Sequence, residues 1–148
     1  MRGYCGIGII GNKFDSNIGT LWRSAYAMGA DFIFTIGKRY KHDVTDTCRA
    51  RKHIPLFNFD TYEEFRKTID CDVVCIETQC ATHRLNIFRH PEKCVYLLGA
   101  EDSGIPDSIL KQSSCVIEIP SNICLNVAVA GSIVLYDRTI KSGESIDD

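Results

Sequence analysis

The chain has 148 residues, 45% of them hydrophobic and 24% charged, which suits one globular domain with its own core. Its 17 basic and 19 acidic side chains leave a net charge of −2, which excludes a disordered charged tail and a chain-wide attraction to polyanions. No apolar run reaches the ~18 residues of a membrane span, and the N-terminus MRGYCGIGIIGNKFD lacks a signal-peptide core, so a cytoplasmic location without membrane contact is expected. The 8 cysteines are expected to be reduced thiols, because a core of this size needs no disulfide staples.

In chain order, residues 4–10 read as a strand. Residues 17–28 read as a helix, capped by Asn17 and stopped at Gly29. Residues 32–36 are a continuous apolar strand, and residues 54–57 a short one. A helix over 61–69 has Thr61 and Glu64 at capping-box spacing. A strand over 72–76 leads into a polar loop from Glu77. A strand over 93–98 leads into the glycine-containing loop GAEDSGIP. Proline opens a helix over 106–112, a good residue for a first turn. A strand over 115–119 ends at Pro120, and the last helix runs over 125–140. Residues 1–141 are expected to form the single domain, and the polar tail 142–148 is expected to fray.

Alternation of helices with strands that are apolar throughout is the signature of an α/β fold, a parallel sheet with helices on both faces. The last helix, LNVAVAGSIVLY, is apolar nearly all round for three turns. A helix at the edge of a small domain should keep a polar face, so this one is either central or buried by a second subunit; a homodimer through it is the favoured expectation, which a charge at Val134 should break.

The near-zero net charge hides an asymmetry. Residues 1–67 carry 11 basic and 7 acidic side chains, and residues 68–148 carry 6 and 12. Residues 38–53 (KRYKHDVTDTCRARKH), opening on Lys38 and closing on His53, stand out as basic. Composition leaves two readings open for them, a solvated loop or a segment that contacts phosphates.

The generic motifs fail on context. GIGIIG at 6–11 has the spacing of a dinucleotide fingerprint, but its glycines alternate with isoleucines inside a strand and no helix opens at the last one. Gly6 and Gly8 are better explained by close packing over the sheet. The cysteines at 71, 75 and 80 lack CxxC spacing and the histidines form no HxxxH pair, so no metal is expected. No GxSxG elbow and no GxxxxGKS loop occurs.

Three segments carry polar residues that a bland fold would not need: NIGTLWRSAYAMG from Asn17, LLGAEDSGIP from Leu97, and IEIP from Ile117 followed by LNVAVA from Leu125. In this order and at these separations they resemble the SpoU (TrmH-type) branch of the SPOUT RNA methyltransferases, over about residues 4 to 141. The resemblance implies a C-terminal trefoil knot, bound S-adenosylmethionine, a homodimer, and methylation of a ribose 2′-hydroxyl of tRNA or rRNA. Relatives that act on rRNA often carry an added N-terminal RNA-binding domain, so tRNA is favoured. By the same resemblance Arg23, Glu101, Asn126 and, more weakly, Asn17 form the reaction centre. Thr78, Leu98, Gly99, Gly104, Ile119, Pro120, Cys124 and Leu125 hold the cofactor. Arg23 is expected to position and stabilise charge, because a guanidinium hardly deprotonates. Glu101 is expected to orient Arg23 or Asn126.

Two departures stand out. Only SNIC separates Pro120 from Leu125, shorter than the family loop and without its glycine, and Cys124 replaces the usual serine. They motivate a rival expectation, a knotted RNA-binding protein with lost or weak turnover.

Overall fold

The computed structural model describes residues 3–37 and 50–143. Among these residues seven strands form one sheet: β1 (Tyr4–Ile10), β2 (Phe32–Ile36), β3 (Leu56–Phe59), β4 (Asp72–Ile76), β5 (His83–Arg84), β6 (Lys93–Gly99) and β7 (Cys115–Glu118). Their order is β3-β2-β1-β6-β4-β7-β5 and every neighbouring pair is parallel. Four helices connect them: α1 (Asp15–Ala27), α2 (Tyr62–Thr68), α3 (Asp107–Gln112) and α4 (Val127–Ser142).

The expected α/β architecture is present. Successive side chains of a strand point to opposite faces, and here both faces are apolar. Ile7, Ile9, Val74, Tyr96 and Leu98 pack with Leu21 and Trp22 of α1 and Val134 and Leu135 of α4. Phe34, Val73, Cys75, Val95 and Leu97 pack with Phe65 of α2 and Ile109 of α3. Phe65 stacks on Phe34 with ring centroids 4.6 Å apart. The glycines of GIGIIG serve this packing: a Cβ at Gly6 would lie 2.3 Å from the Phe32 ring, and one at Gly8 equally close to the Phe34 carbonyl. Burial pushes the Cys75 and Cys94 thiols up to about 11, so both stay protonated at neutral pH. Among the described residues Cys71, Cys75, Cys80, Cys94, Cys115 and Cys124 are free thiols.

Several local expectations shift. The third strand is Leu56–Phe59, two residues later than expected, and the two-residue β5 is too short to leave a pattern. The Thr61 hydroxyl does accept the Glu64 N–H, but the Glu64 carboxylate reaches the Asp60 N–H, one residue before the cap. Pro106 is the N-cap of α3 and not its first turn. Gly29 follows the end of α1 at φ +81°, as the stop required. Asn17 does not cap α1: the helix opens at Asp15, with Phe14 as the N-cap. Ser142 ends α4, and residues 144–148 lie outside the described residues.

Helix α4 packs against both α1 and the sheet. A Cβ on Gly131 would come within 2.6 Å of the Leu21 side-chain tip, so glycine lets Leu21 keep its place here. Ser132 donates to the Ser24 hydroxyl at 2.7 Å, and Thr139 donates to the Met28 carbonyl at 3.2 Å. The far end of α4 holds the loop before β6: Arg138 donates to the carbonyls of Pro91 and Glu92, and Lys141 to that of Phe88.

The core position of α4 overturns the expectation for Val134, which is fully buried within one chain. A charge there would meet the chain's own core and not a partner. Val134→Asp should cost more than about 3 kcal/mol, because an unpaired buried charge has no compensating contact. Urea denaturation at several protein concentrations checks this; the loss should not depend on concentration.

Candidate active site

Three loops leave the C-terminal ends of β4, β6 and β7, the place where open parallel sheets bind ligands. They enclose a cavity of about 580 Å³, within the size range of small-molecule sites. Its apolar walls include Ile76, Leu98, Ile119, Leu125, Val127 and Ala130. The lining also includes Thr78, Gly99, Glu101, Gly104, Cys124 and Asn126. Seven of the eight residues expected to hold a cofactor therefore face one space. Pro120 is exposed and lies outside the lining.

The second loop folds back on its own strand. The Gly104 N–H donates to the Ala100 carbonyl at 2.8 Å, closing a turn with Gly104 at φ +65°. The fold-back leaves no room at the strand end, where a Cβ on Gly99 would sit 2.3 Å from the Gly104 carbonyl carbon. Backbone thus forms this wall of the cavity, as the two glycines require. On the outer rim Lys13 binds Asp102 at 3.0 Å, and this hydrogen bond holds the Asp102 carboxyl below its usual range.

Asn126 is the hub. Its Oδ1 accepts the N–H groups of Ala128 at 2.9 Å and Val129 at 3.1 Å, which caps α4. Its Nδ2 donates to Asn17 Oδ1 and Glu101 Oε1, each at 3.1 Å. Both amide hydrogens and both lone pairs are therefore engaged. One side chain joins the three segments that the sequence singled out. Glu101 orients Asn126 by this bond, and Asn17, buried and inside α1, is the third member.

Arg23 stands apart. It is exposed, six residues along α1 from Asn17, and does not line the cavity. Tyr26 lies one turn on, on the same helix face. The Tyr26 ring stacks on His53, with centroids 4.3 Å apart and planes 3° from parallel. Trp22 Nε1 donates to the Ile54 carbonyl at 3.1 Å, and Ala50 is fully buried. The last residues of the basic segment are thus pinned to α1, with Arg51 and Lys52 exposed. Residues 38–49 lie outside the described residues.

Sequence reasoning passed over Glu77, the first residue of the loop after β4, although a carboxylate ending an apolar strand was a signal. It lines the cavity, accepts the Thr78 N–H at 2.9 Å and approaches the Ile105 N–H at 3.4 Å. Among the described residues no cluster of His, Cys, Asp and Glu could hold a metal ion.

Residues 9–136 match the SpoU rRNA Methylase family. The chain belongs to this family. Its parallel α/β sheet is the architecture expected, and the family's members are S-adenosylmethionine-dependent RNA 2′-O-methyltransferases. A tRNA (cytidine(34)-2′-O)-methyltransferase of Ancylobacter novellus is 29% identical over 140 residues, covering 86% of each chain. Two solved structures share the fold. One, described as giving insights into the 2-OH methylation of C/U34 on tRNA, has a TM-score of 0.84 at 19% identity and covers 97% of this chain and 100% of that one. The other, the SpoU methyltransferase AviRb of Streptomyces viridochromogenes with AdoMet, has a TM-score of 0.83 at 19% identity. It covers 96% of this chain, which spans 59% of that one.

The hub makes a prediction separable from chemistry. Asn126→Ala should destabilise the fold by about 1–2 kcal/mol through loss of the cap. Asn126→Asp keeps the cap but loses both donors and sets a carboxylate against Glu101. Denaturant midpoints should order wild type, Asp, Ala, while cofactor affinity should fall in both variants.

Proposed function

We propose that this chain transfers the methyl group of S-adenosylmethionine to a ribose 2′-hydroxyl of tRNA. The observation that carries the proposal is the single cavity into which the family motifs converge, tied together by Asn126. The residues fit the cofactor. Apolar walls and loop backbone suit an adenine. Thr78, Leu98, Gly99, Gly104, Ile119, Cys124 and Leu125 are assigned to holding it. Pro120 is assigned to ending β7, outside the contact set. The tRNA assignment rests on the Ancylobacter novellus relative, with which the chain shares 86% coverage. The trefoil knot belongs to the same proposal, supported by the convergence of the three loops on one rim. So does a cytoplasmic location.

When bound, the cofactor supplies a methyl carbon made electrophilic by its sulfonium. A ribose hydroxyl is a weak nucleophile, so it must be aimed in line while its proton is drawn off with help from the adjacent phosphate. Arg23 suits the task of gripping that phosphate. Its guanidinium stays charged and offers a planar fork of donors. The stacked Tyr26–His53 pair places Arg51 and Lys52 beside the same helix, which favours the phosphate-contacting reading of the basic segment. Glu101, Asn126 and Asn17 hold the loops and α4 in register. Arg23→Ala should abolish transfer of labelled methyl to bulk tRNA and leave S-adenosylmethionine affinity within about twofold, measured by titration calorimetry. Full activity, or loss of cofactor binding, would overturn the role given to Arg23. A wild-type chain that binds no S-adenosylmethionine would favour the RNA-binding protein without turnover.

A homodimer through α4 is part of the proposal, now resting on its exposed residues. Val129, Tyr136 and Ile140 are 46%, 50% and 54% exposed. With the half-buried Ile133 they follow helical spacing and form one apolar stripe. A second copy covering it would bring two α1 surfaces together, so that Arg23 of one subunit serves the cavity of the other. Tyr136→Asp should give a folded monomer with weaker tRNA binding, read by light scattering and filter binding. Unchanged tRNA affinity in a proven monomer would remove the dimer from the account of RNA binding.

A further inference from the structure

The cavity carries an electrostatic bias that its cofactor assignment does not require. Two carboxylates line it, Glu77 and Glu101, and no lysine, arginine or histidine does among the described residues. The two acids are placed differently. Glu101 is exposed at the rim and engaged with Asn126. Glu77 is half-buried and sits deeper, between the loop after β4 and the loop after β6.

Glu77 is held there by backbone. Its Oε1 accepts the Thr78 N–H at 2.9 Å, and its Oε2 lies 3.4 Å from the Ile105 nitrogen. A Cβ on Gly104 would approach Oε2 within 2.8 Å, so the carboxylate lies against a glycine and rigid backbone. Each of these N–H groups uses one lone pair, and a carboxylate offers about four. The carboxylate therefore keeps acceptor capacity at the cavity wall while its position is fixed.

Resting on the reading of this cavity as the S-adenosylmethionine site, we propose that Glu77 makes the site selective for the charged cofactor over its demethylated product. S-adenosylmethionine carries a sulfonium, an ammonium and a carboxylate, for a net charge of +1. Loss of the methyl group leaves the S–C electron pair on sulfur, so S-adenosylhomocysteine is neutral overall. The two molecules share adenine, ribose and amino-acid groups, so apolar walls and backbone hydrogen bonds barely separate them. A fixed anion in a cavity without counter-cations does separate them, because the Coulomb term acts on the one charge that differs and is strengthened away from bulk water. The consequence is product release: the chemical step removes the charge that the wall attracts.

The test compares dissociation constants, not turnover. Titration calorimetry should show wild type binding S-adenosylmethionine at least about fivefold more tightly than S-adenosylhomocysteine. Sinefungin, which places an amine where the sulfonium stands and has no methyl to transfer, should behave like the charged cofactor. Glu77→Gln keeps the size and an acceptor oxygen. It should weaken the two cationic ligands and leave S-adenosylhomocysteine within about twofold, collapsing the ratio. Equal wild-type affinity for the three ligands would overturn the proposal. So would a Glu77→Gln variant weakened equally for all of them, which marks a purely structural carboxylate. The sinefungin comparison needs no variant, so equal binding of the three ligands overturns the proposal even if Glu77→Gln fails to fold; Glu77→Asp, which retracts the carboxylate, then serves as the second variant and should lower the ratio. Binding of none of the three by wild type would overturn the cofactor assignment itself, and this inference with it.

Discussion

One side-chain amide holds the site together. Asn126 sits where α4 begins, and its four hydrogen bonds run to α4 itself, to Asn17 on α1 and to Glu101 in the loop after β6. Each partner comes from a different part of the chain, 109 residues away in the case of Asn17. An amide offers two donors and two acceptors in one plane, so it can cap a helix and bridge two other segments at once. An aspartate would supply only the cap, and a serine only one donor. The constraint explains why asparagine stands at this position.

That bond set depends on how closely α4 approaches the sheet. Gly131 admits Leu21, Leu98 and Ile7 to a spot where a methyl group would collide. Gly6 and Gly8 admit Phe32 and Phe34 on the other face. Removing side chains from these points lets two helical layers press on a two-faced sheet of modest size. The loops at its C-terminal edge then meet over one cavity. Core packing and site geometry are in this sense one design: the helix that fills the core is also the helix whose cap orders the cavity.

Much of this was legible in the sequence, and the failures have physical causes. Continuous apolar strands alternating with helices fix a parallel sheet, and Gly29, Thr61 and Glu64 mark helix ends by their chemistry. The residues of the second and third motifs gather, with Asn17, because those motifs follow strand termini, whereas Arg23 lies further along α1 and away from the cavity. Asn17 was misread as a cap because a capping residue and a buried bridging residue look alike when the helix start is uncertain by two residues. Val134 was misread because an all-apolar helix can be hidden by its own core as well as by a second subunit; only the exposure of Val129, Tyr136 and Ile140 separates those faces. Strand β5 has two residues and no periodicity to detect. Glu77 is not marked by its neighbours in sequence, because the contact that gives it meaning, at Ile105, is 28 residues distant.

The charge asymmetry also takes a spatial form. Arg51 and Lys52 reach α1 through a stacked pair of rings, beside the face that carries Arg23, whereas the acidic half of the chain contributes Glu77 and Glu101 to the cavity. On the proposed function, a polyanion and a cationic cofactor would meet separate surfaces, each of opposite charge. The most direct test of this account is mass spectrometry of nucleosides from the tRNA of cells lacking the gene. The account predicts the loss of one 2′-O-methylated nucleoside, restored when purified protein and S-adenosylmethionine are added to that tRNA. Unchanged ribose methylation, or the loss of a base-methylated nucleoside instead, would contradict it.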